Sequence, residues 1–315
     1  MLAAYPVHDA GGLSTSLSAA AWVDLVEPSA AECADFEKTS GLRVPAKEEL
    51  SEIAATSRLH CEKDALYMTA PLIFAGNNEP WILTPTGFVL SKKVLLTVRY
   101  AHPDGFAPAL RELDGQVQPM LAYVRILEQM VGHLADLLET TSLDLDDASH
   151  VIFRASGRRR LSRETKMLRR LMIRTGRTSE RMTRLHYTLV CLDRMTKFTA
   201  DRAHEWIGPD NSSRLQSVSS DIASLVQFTE ALVSRVQLLQ DAATGIINID
   251  QNDVMKVLTI ASVAGIPPVL VVGIYGMNFK YMPEYDWSFG YPYALAMIVL
   301  TTLVPLLWFK WKDWI

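Results

Sequence analysis

Two stretches near the end of the chain, residues 257–275 and 291–309, contain no charged side chain. Each is about 19 residues long, roughly 28 Å as a helix, which matches the hydrocarbon core of a bilayer. A pair of core helices in a soluble protein would be equally apolar. The second run, however, leads into Trp308, Lys310, Trp311, Lys312 and Trp314. Aromatic rings and lysines at the end of an apolar run are the anchors of a span leaving the headgroup region. The chain therefore reads as a membrane protein with two C-terminal spans.

Orientation follows from the flanks. The start, MLAAYPVHDAGG, lacks the basic segment and apolar stretch of a signal peptide. The long region before the first span is expected in the cytoplasm, at the inner face of the cell membrane. Two spans return the C-terminus to the same side, and Lys310 and Lys312 agree with the positive-inside rule. The connection between the spans, residues 276–290, then faces outward. Cys33, Cys61 and Cys191 are far apart and form no CxxC pair. Neither a disulfide framework nor a structural zinc site is indicated. The sequon at Asn211-Ser212-Ser213 has no meaning in a cytoplasmic segment.

Along the chain, residues 1–116 mix strand and helix signals. AAWVDLVEPS reads as a strand followed by a helix start, and VPAKEELSEIAATS has helical spacing. ALYMTAPLIF, WILTPTGFVL and KKVLLTVRYA read as strands, with the turn-rich AGNNEP between the first two. Residues 117–210 are helical, up to a break at Gly208-Pro209-Asp210-Asn211, where Asn211 or Ser212 suits an N-cap. Residues 211–256 form a stalk helix, 257–275 the first span, 291–309 the second, and 310–315 a basic, aromatic tail. The fold class is an α+β membrane protein: an N-terminal cytoplasmic α/β domain and a long stalk helix continuing into the first of two transmembrane helices.

The stalk carries the longest regular pattern. Leu215, Val218, Ile222, Leu225, Thr229, Leu232, Val236, Leu239, Ala243, Ile246, Asp250, Asp253 and Val257 alternate spacings of three and four. One helix from about 212 to 275 would be roughly 95 Å long and needs partners along its flank. Those partners are either helices of the same chain or copies of itself. A second feature is residues 158–184, with a net charge of +9 in a chain of −4. This basic helix suits anionic lipid, solvent or the acidic stretch 139–147. It has no aromatic interleaving or reader motif, so no nucleic-acid partner is expected. The sequence holds no Walker loop, GxGxxG, HExxH or GxSxG, and the scattered histidines suggest no site, so an enzyme is not expected.

The connection YGMNFKYMPEYDWSFGYP is dense in aromatic residues, unusual between two apolar helices. Together with INIDQNDVMKVLTIASVAGIPPVLVVGI before it and FKWKDWI at the end, it resembles the CorA family of GMN-motif magnesium and cobalt channels. The likeness extends more loosely into the stalk and to WVDLVEPS. It implies a homopentamer in the lipid bilayer, passively admitting hydrated divalent cations (Mg2+, also Co2+ and Ni2+) under the membrane potential. Tyr275, Gly276, Met277 and Asn278 would form the selectivity filter. Glu284 and Asp286 would draw cations to the mouth. Asn252, Met255, Leu258, Ser262, Ile266, Val269 and Gly273 would line the pore, on a face expected to follow the stalk's periodicity. Gly276 is expected to let the backbone turn sharply, and Pro267-Pro268 to kink the span.

The family is closed by intracellular Mg2+ acting as a regulatory ligand. Here the matching loop is AGNNEP and the matching stalk position is Ser217, so Asp221 and Glu79, with Asp241 and Asp253, are the substitute ligands. The alternative is a zinc or proton-coupled transporter of the same superfamily; the MPE after GMNF favours magnesium.

Overall fold

A computed structural model describes residues 2–6, 20–52, 58–62, 64–74, 81–101, 118–155, 163–278, 280, 282–283, 287–312 and 314. Their contacts divide into two units, one of residues 1–151 and 171–239, the other of residues 152–170 and 240–315.

The first unit is built on a mixed sheet of six strands: β1 (Leu2–Pro6), β2 (Ala20–Val26), β3 (Leu59–Glu62), β4 (Ala65–Phe74), β5 (Ile82–Leu90) and β6 (Leu95–Arg99). Their order is β1-β2-β6-β5-β4-β3, with β2 and β6 parallel and the other pairs antiparallel. Every residue of β2 is buried, because the sheet is covered on both faces. One face packs Val23, Leu25, Tyr67, Val89 and Leu96 against Phe36 of α1 (Ala30–Ser40) and Leu50 of α2 (Lys47–Leu50). Gly87 permits this approach, since a Cβ there would lie 2.7 Å from Leu50 Cδ2.

On the other face Tyr123 stands edge-on to Phe88, ring centroids 6.1 Å apart, and its hydroxyl lies 2.9 Å from Thr199 Oγ1. Tyr123 belongs to α3 (Pro119–Ala155) and Thr199 to α4 (Arg163–Arg202).

Helix α1 starts as its sequence predicts. Ser29 and Glu32 form a reciprocal capping box. Gly41, at φ 71°, ends it with its N–H on the Glu37 carbonyl. Of the helical reading of residues 44–57, the described part holds the single turn of α2; residues 53–57 and AGNNEP lie outside the described residues. The edge strands β1 and β3 have no counterpart in the sequence reading.

Helix α5 (Pro209–Tyr275) begins at Pro209, not at the caps expected at Asn211 or Ser212. Pro209 has no N–H to leave unsatisfied in the first turn. Gly208 accepts the first helical bond from Ser212 N at 3.0 Å. Asn211 instead donates its side-chain amide to the Ile207 carbonyl. Of the two partnerships left open for the stalk seam, the structure holds the one within the chain. Leu215, Val218, Ile222, Thr229, Leu232, Val236 and Leu239 are all buried. Arg214 Nε donates to Glu128 Oε1 of α3 at 2.8 Å, and Arg235 pairs with Asp146 of α3. The acidic stretch also takes the basic helix, through Arg174 Nη2 to Asp144 at 2.6 Å.

The second unit contains both apolar helices, the end of α5 and α6 (Gly290–Trp311). Both are long and apolar enough to cross a membrane. Leu258, Ile266, Val269, Leu270, Leu300, Leu303 and Leu307 are exposed on the isolated chain, as lipid-facing or oligomer-facing side chains are. Phe309 meets Trp308 edge-on and stacks on Trp314, with centroids 5.2 and 5.4 Å apart.

Candidate functional site

Helix α5 closes normally up to the GMN turn. Gly276 N donates to the Val272 carbonyl at 2.9 Å, and Met277 N to the Ile274 carbonyl at 3.2 Å. The helix then stops, leaving Met277 and Asn278 exposed in irregular backbone. The expected role of Gly276 needs correction. Positive φ occurs at Gly41 and Gly208 among the described glycines, and not at Gly276. A Cβ on Gly276 would instead lie 3.1 Å from the Val272 carbonyl oxygen and 3.5 Å from that of Gly273. The missing side chain lets the last helical turn stay tight where the chain leaves it. Tyr275, just before, is half-buried.

On the far side of the loop, the Trp287 and Tyr293 rings meet edge-on at 5.8 Å, and Gly290 N donates to the Trp287 carbonyl. This ring pair braces the start of α6. Glu284 and Asp286 lie outside the described residues, as does Glu79.

The pore positions share one face of α5. At about 100° per residue, Asn252, Met255, Leu258, Ser262, Ile266, Val269 and Gly273 fall within an arc of about 120°. Six of them are exposed and Ser262 is half-buried. This face does not continue the seam. Ala243, Ile246, Asp250, Asp253 and Val257 centre about 160° away on the same helix. The period is shared and the phase is opposite. Val269 is 71 % exposed, whereas Val271, two residues on, is 9 % exposed.

The open face is longer than the sequence reading had it. Asp241, Gly245, Asn248, Asn252, Met255, Thr259, Ser262, Ile266, Val269 and Gly273 alternate spacings of four and three, a second heptad stripe. Thr259 and Ser262 spend their hydroxyls on the carbonyls of Met255 and Leu258. The helix runs unbroken through Pro267 and Pro268. Neither proline has an N–H for the carbonyls of Val263 and Ala264 one turn back.

The described regulatory candidates are spread along α5. Asp221, Asp241 and Asp253 are exposed, and Asp253 pairs with Lys256 at 3.0 Å. They lie roughly 30 and 18 Å apart along the helix axis, with Asp241 and Asp253 about 120° apart around it. Among the described residues no group of three His, Cys, Asp or Glu side chains is placed to hold a metal. Asp221, Asp241 and Asp253 of one chain do not by themselves form a metal site.

Sequence reasoning missed a buried polar cluster in the sheet. Asp24 on β2 accepts from Thr97 Oγ1 at 2.7 Å and from Arg99 Nη2 at 2.7 Å, both on β6. Trp22 Nε1 donates to Thr97 Oγ1 at 3.0 Å. The parallel register sets Asp24 beside Thr97, joining residues 73 apart in sequence. No local motif announces such a pair.

Residues 18–311 match the family described as CorA-like Mg2+ transporter protein. The chain is 30 % identical over 308 residues to the magnesium transport protein CorA of Salmonella typhimurium, covering 96 % of this chain and 94 % of the relative. The same figures hold for magnesium transport protein CorA of Escherichia coli K12. Among solved structures, the complete CorA magnesium transporter of Methanocaldococcus jannaschii superposes with a TM-score of 0.76 at 16 % identity, over 100 % of this chain and 98 % of that one. The full-length CmaX protein gives 0.69 at 18 % identity, over 93 % and 88 % of the two chains.

Proposed function

The chain belongs to the CorA family of Mg2+ transporter proteins, and from that premise we propose that five copies enclose a pore admitting hydrated magnesium. The observation that carries this reading is the second stripe of α5. It is exposed along its length in the single chain, apart from a half-buried Ser262, and leads to the GMN turn. Two spans cannot surround a water-filled path, so the stripe needs copies of itself. Five stripes facing one axis give rings of Asn252, Met255, Leu258, Ser262, Ile266, Val269 and Gly273. The apolar rings make a constriction that resists wetting.

Magnesium holds its waters tightly in octahedral geometry. A ring of Asn278 amides, framed by Tyr275, Gly276 and Met277, hydrogen-bonds that hydration shell without stripping it. Carboxylates in the same place would hold the ion longer and slow its exit. Glu284 and Asp286, offset by Lys280, enrich divalent cations at the mouth, weakly and in a salt-dependent way. Both termini lie in the cytoplasm, and the pore crosses the inner membrane. Entry needs no ATP: a divalent ion gains about 4.6 kcal/mol per 100 mV of inside-negative potential. That is on the order of a thousandfold in concentration. Co2+ and Ni2+, with similar hydrated size, follow the same path.

Closure by intracellular Mg2+ draws on carboxylates from neighbouring copies. Its check is limited proteolysis. Magnesium protects the N-terminal region relative to chelator; identical digestion in both argues against ligand-controlled closure.

The test of the pore reading is magnesium uptake in liposomes at matched protein density. Asn278→Ala removes the acceptor with little change in volume, so it assembles and carries no magnesium. Asn278→Asp is also impaired, because its charges retain the ion. Wild-type flux and selectivity in Asn278→Ala would place the filter elsewhere.

A further inference from the structure

A cavity of about 550 Å³ opens in the first unit. Leu59 of β3 and Thr69 of β4 line one side. The other is a face of α4 that presents His186, Tyr187, Val190, Cys191 and Arg194. The spacing of these residues by three and four puts them on one side of that helix. The volume is that of a small-molecule site, within the usual range of roughly 300–1,000 Å³.

The charge of the lining is one-sided. Arg58, Arg194 and His186 border the cavity, and no carboxylate is among the described lining residues. Arg58 is held in place. Its Nε donates to the Glu52 carbonyl, and Nη1 donates to the Tyr187 hydroxyl at 2.6 Å and to Cys191 Sγ at 3.8 Å. Its guanidinium also lies 5.7 Å from the Tyr187 ring centroid. These partners are neutral, so they orient the charge without cancelling it. Arg194 makes no hydrogen bond or ion pair among the described residues. Its neighbour Asp193 accepts from Lys197 through Oδ2 at 2.7 Å. Two permanent cations thus border a cavity whose remaining walls are largely apolar. A fixed, preoriented guanidinium suits a carboxylate or phosphate better than a mobile ammonium does.

We propose that this cavity binds a small organic anion with a flat apolar body, of the size and charge of a nucleoside monophosphate. Its anionic group lies toward Arg58 and Arg194, and its ring lies over Val190 and the apolar floor. The neutral body supplies contact area, and the guanidinium groups supply selection for charge.

Cys191 gives a reporter inside the site. Burial pushes its thiol up, while Arg58 and Arg194 pull the other way. Its reaction with N-ethylmaleimide is therefore followed at mildly alkaline pH. The protein used is the full chain carrying Cys33→Ser and Cys61→Ser, so that Cys191 is the sole thiol. Saturating AMP slows the modification about tenfold or more, whereas adenosine and inorganic phosphate at the same concentration do not. Arg194→Gln, at an exposed position that leaves folding intact, raises the AMP concentration for half-protection about tenfold or more, the loss of one charge-assisted contact. The proposal is overturned by any of three results: no protection by AMP, equal protection by adenosine or phosphate, or an unchanged midpoint in Arg194→Gln.

Discussion

Helix α5 carries two stripes of the same period and opposite fate. From Leu215 to Ala243 its apolar seam is buried, apart from a half-buried Leu225, and ion pairs from Arg214 and Arg235 to α3 flank it. From Asn252 to Gly273 the other stripe is exposed, save for a half-buried Ser262. The first region is finished by one chain. The second has its pattern written but, among the described residues, no helix packed along it. A heptad repeat alone does not say which partner it serves; phase decides, because a shift of one or two residues turns the stripe to another side of the helix.

Substitutions divide along this line. The largest effect falls where burial is complete and polar. Asp24→Ala removes the carboxylate that Thr97 and Arg99 hold, and the cost is about 3–5 kcal/mol, read as a fall in denaturation midpoint of the first unit. In the covered seam, Leu232→Ala leaves a cavity and costs about 2–5 kcal/mol in the same measurement. On the open stripe, Leu258→Ala changes the stability of the single chain by under about 0.5 kcal/mol, but it widens an apolar ring and alters magnesium flux. A large loss of monomer stability in Leu258→Ala would erase the distinction between the stripes. The smallest effect belongs to the rim of the seam. Arg235 and Asp146 are both partly solvated, so Arg235→Ala costs about 0–1 kcal/mol, and less at high salt.

Much of this was legible in the sequence because it is local. Ser29 with Glu32, the apolar strands β2, β4, β5 and β6, and the uncharged runs declare themselves through spacing and composition. What escaped is what depends on distant pairing. β1 and β3 are short edge strands whose existence depends on neighbours, and the Asp24–Arg99 pair needs the parallel register of β2 and β6. The expected pore positions lie on a face opposite in phase to the seam, not on a continuation of it. The apolar seam residues dominate the pattern, and Gly245, Asn248, Thr259 and Ser262 dilute the second stripe. The helix start was misplaced for a related reason: Asn211 is a good cap by type, but its amide is drawn to the Ile207 carbonyl.

Val269 and Val271 give the most direct test of the open stripe. They sit two residues apart, one 71 % and the other 9 % exposed, on opposite sides of one helical turn. Each is replaced by cysteine in a background lacking Cys33, Cys61 and Cys191, and magnesium uptake into liposomes is followed as a charged methanethiosulfonate is added. Modification of Val269→Cys blocks the flux, and Val271→Cys is unaffected. Undiminished flux through the modified Val269→Cys protein, or equal block at both positions, would contradict a pore lined by this face of α5.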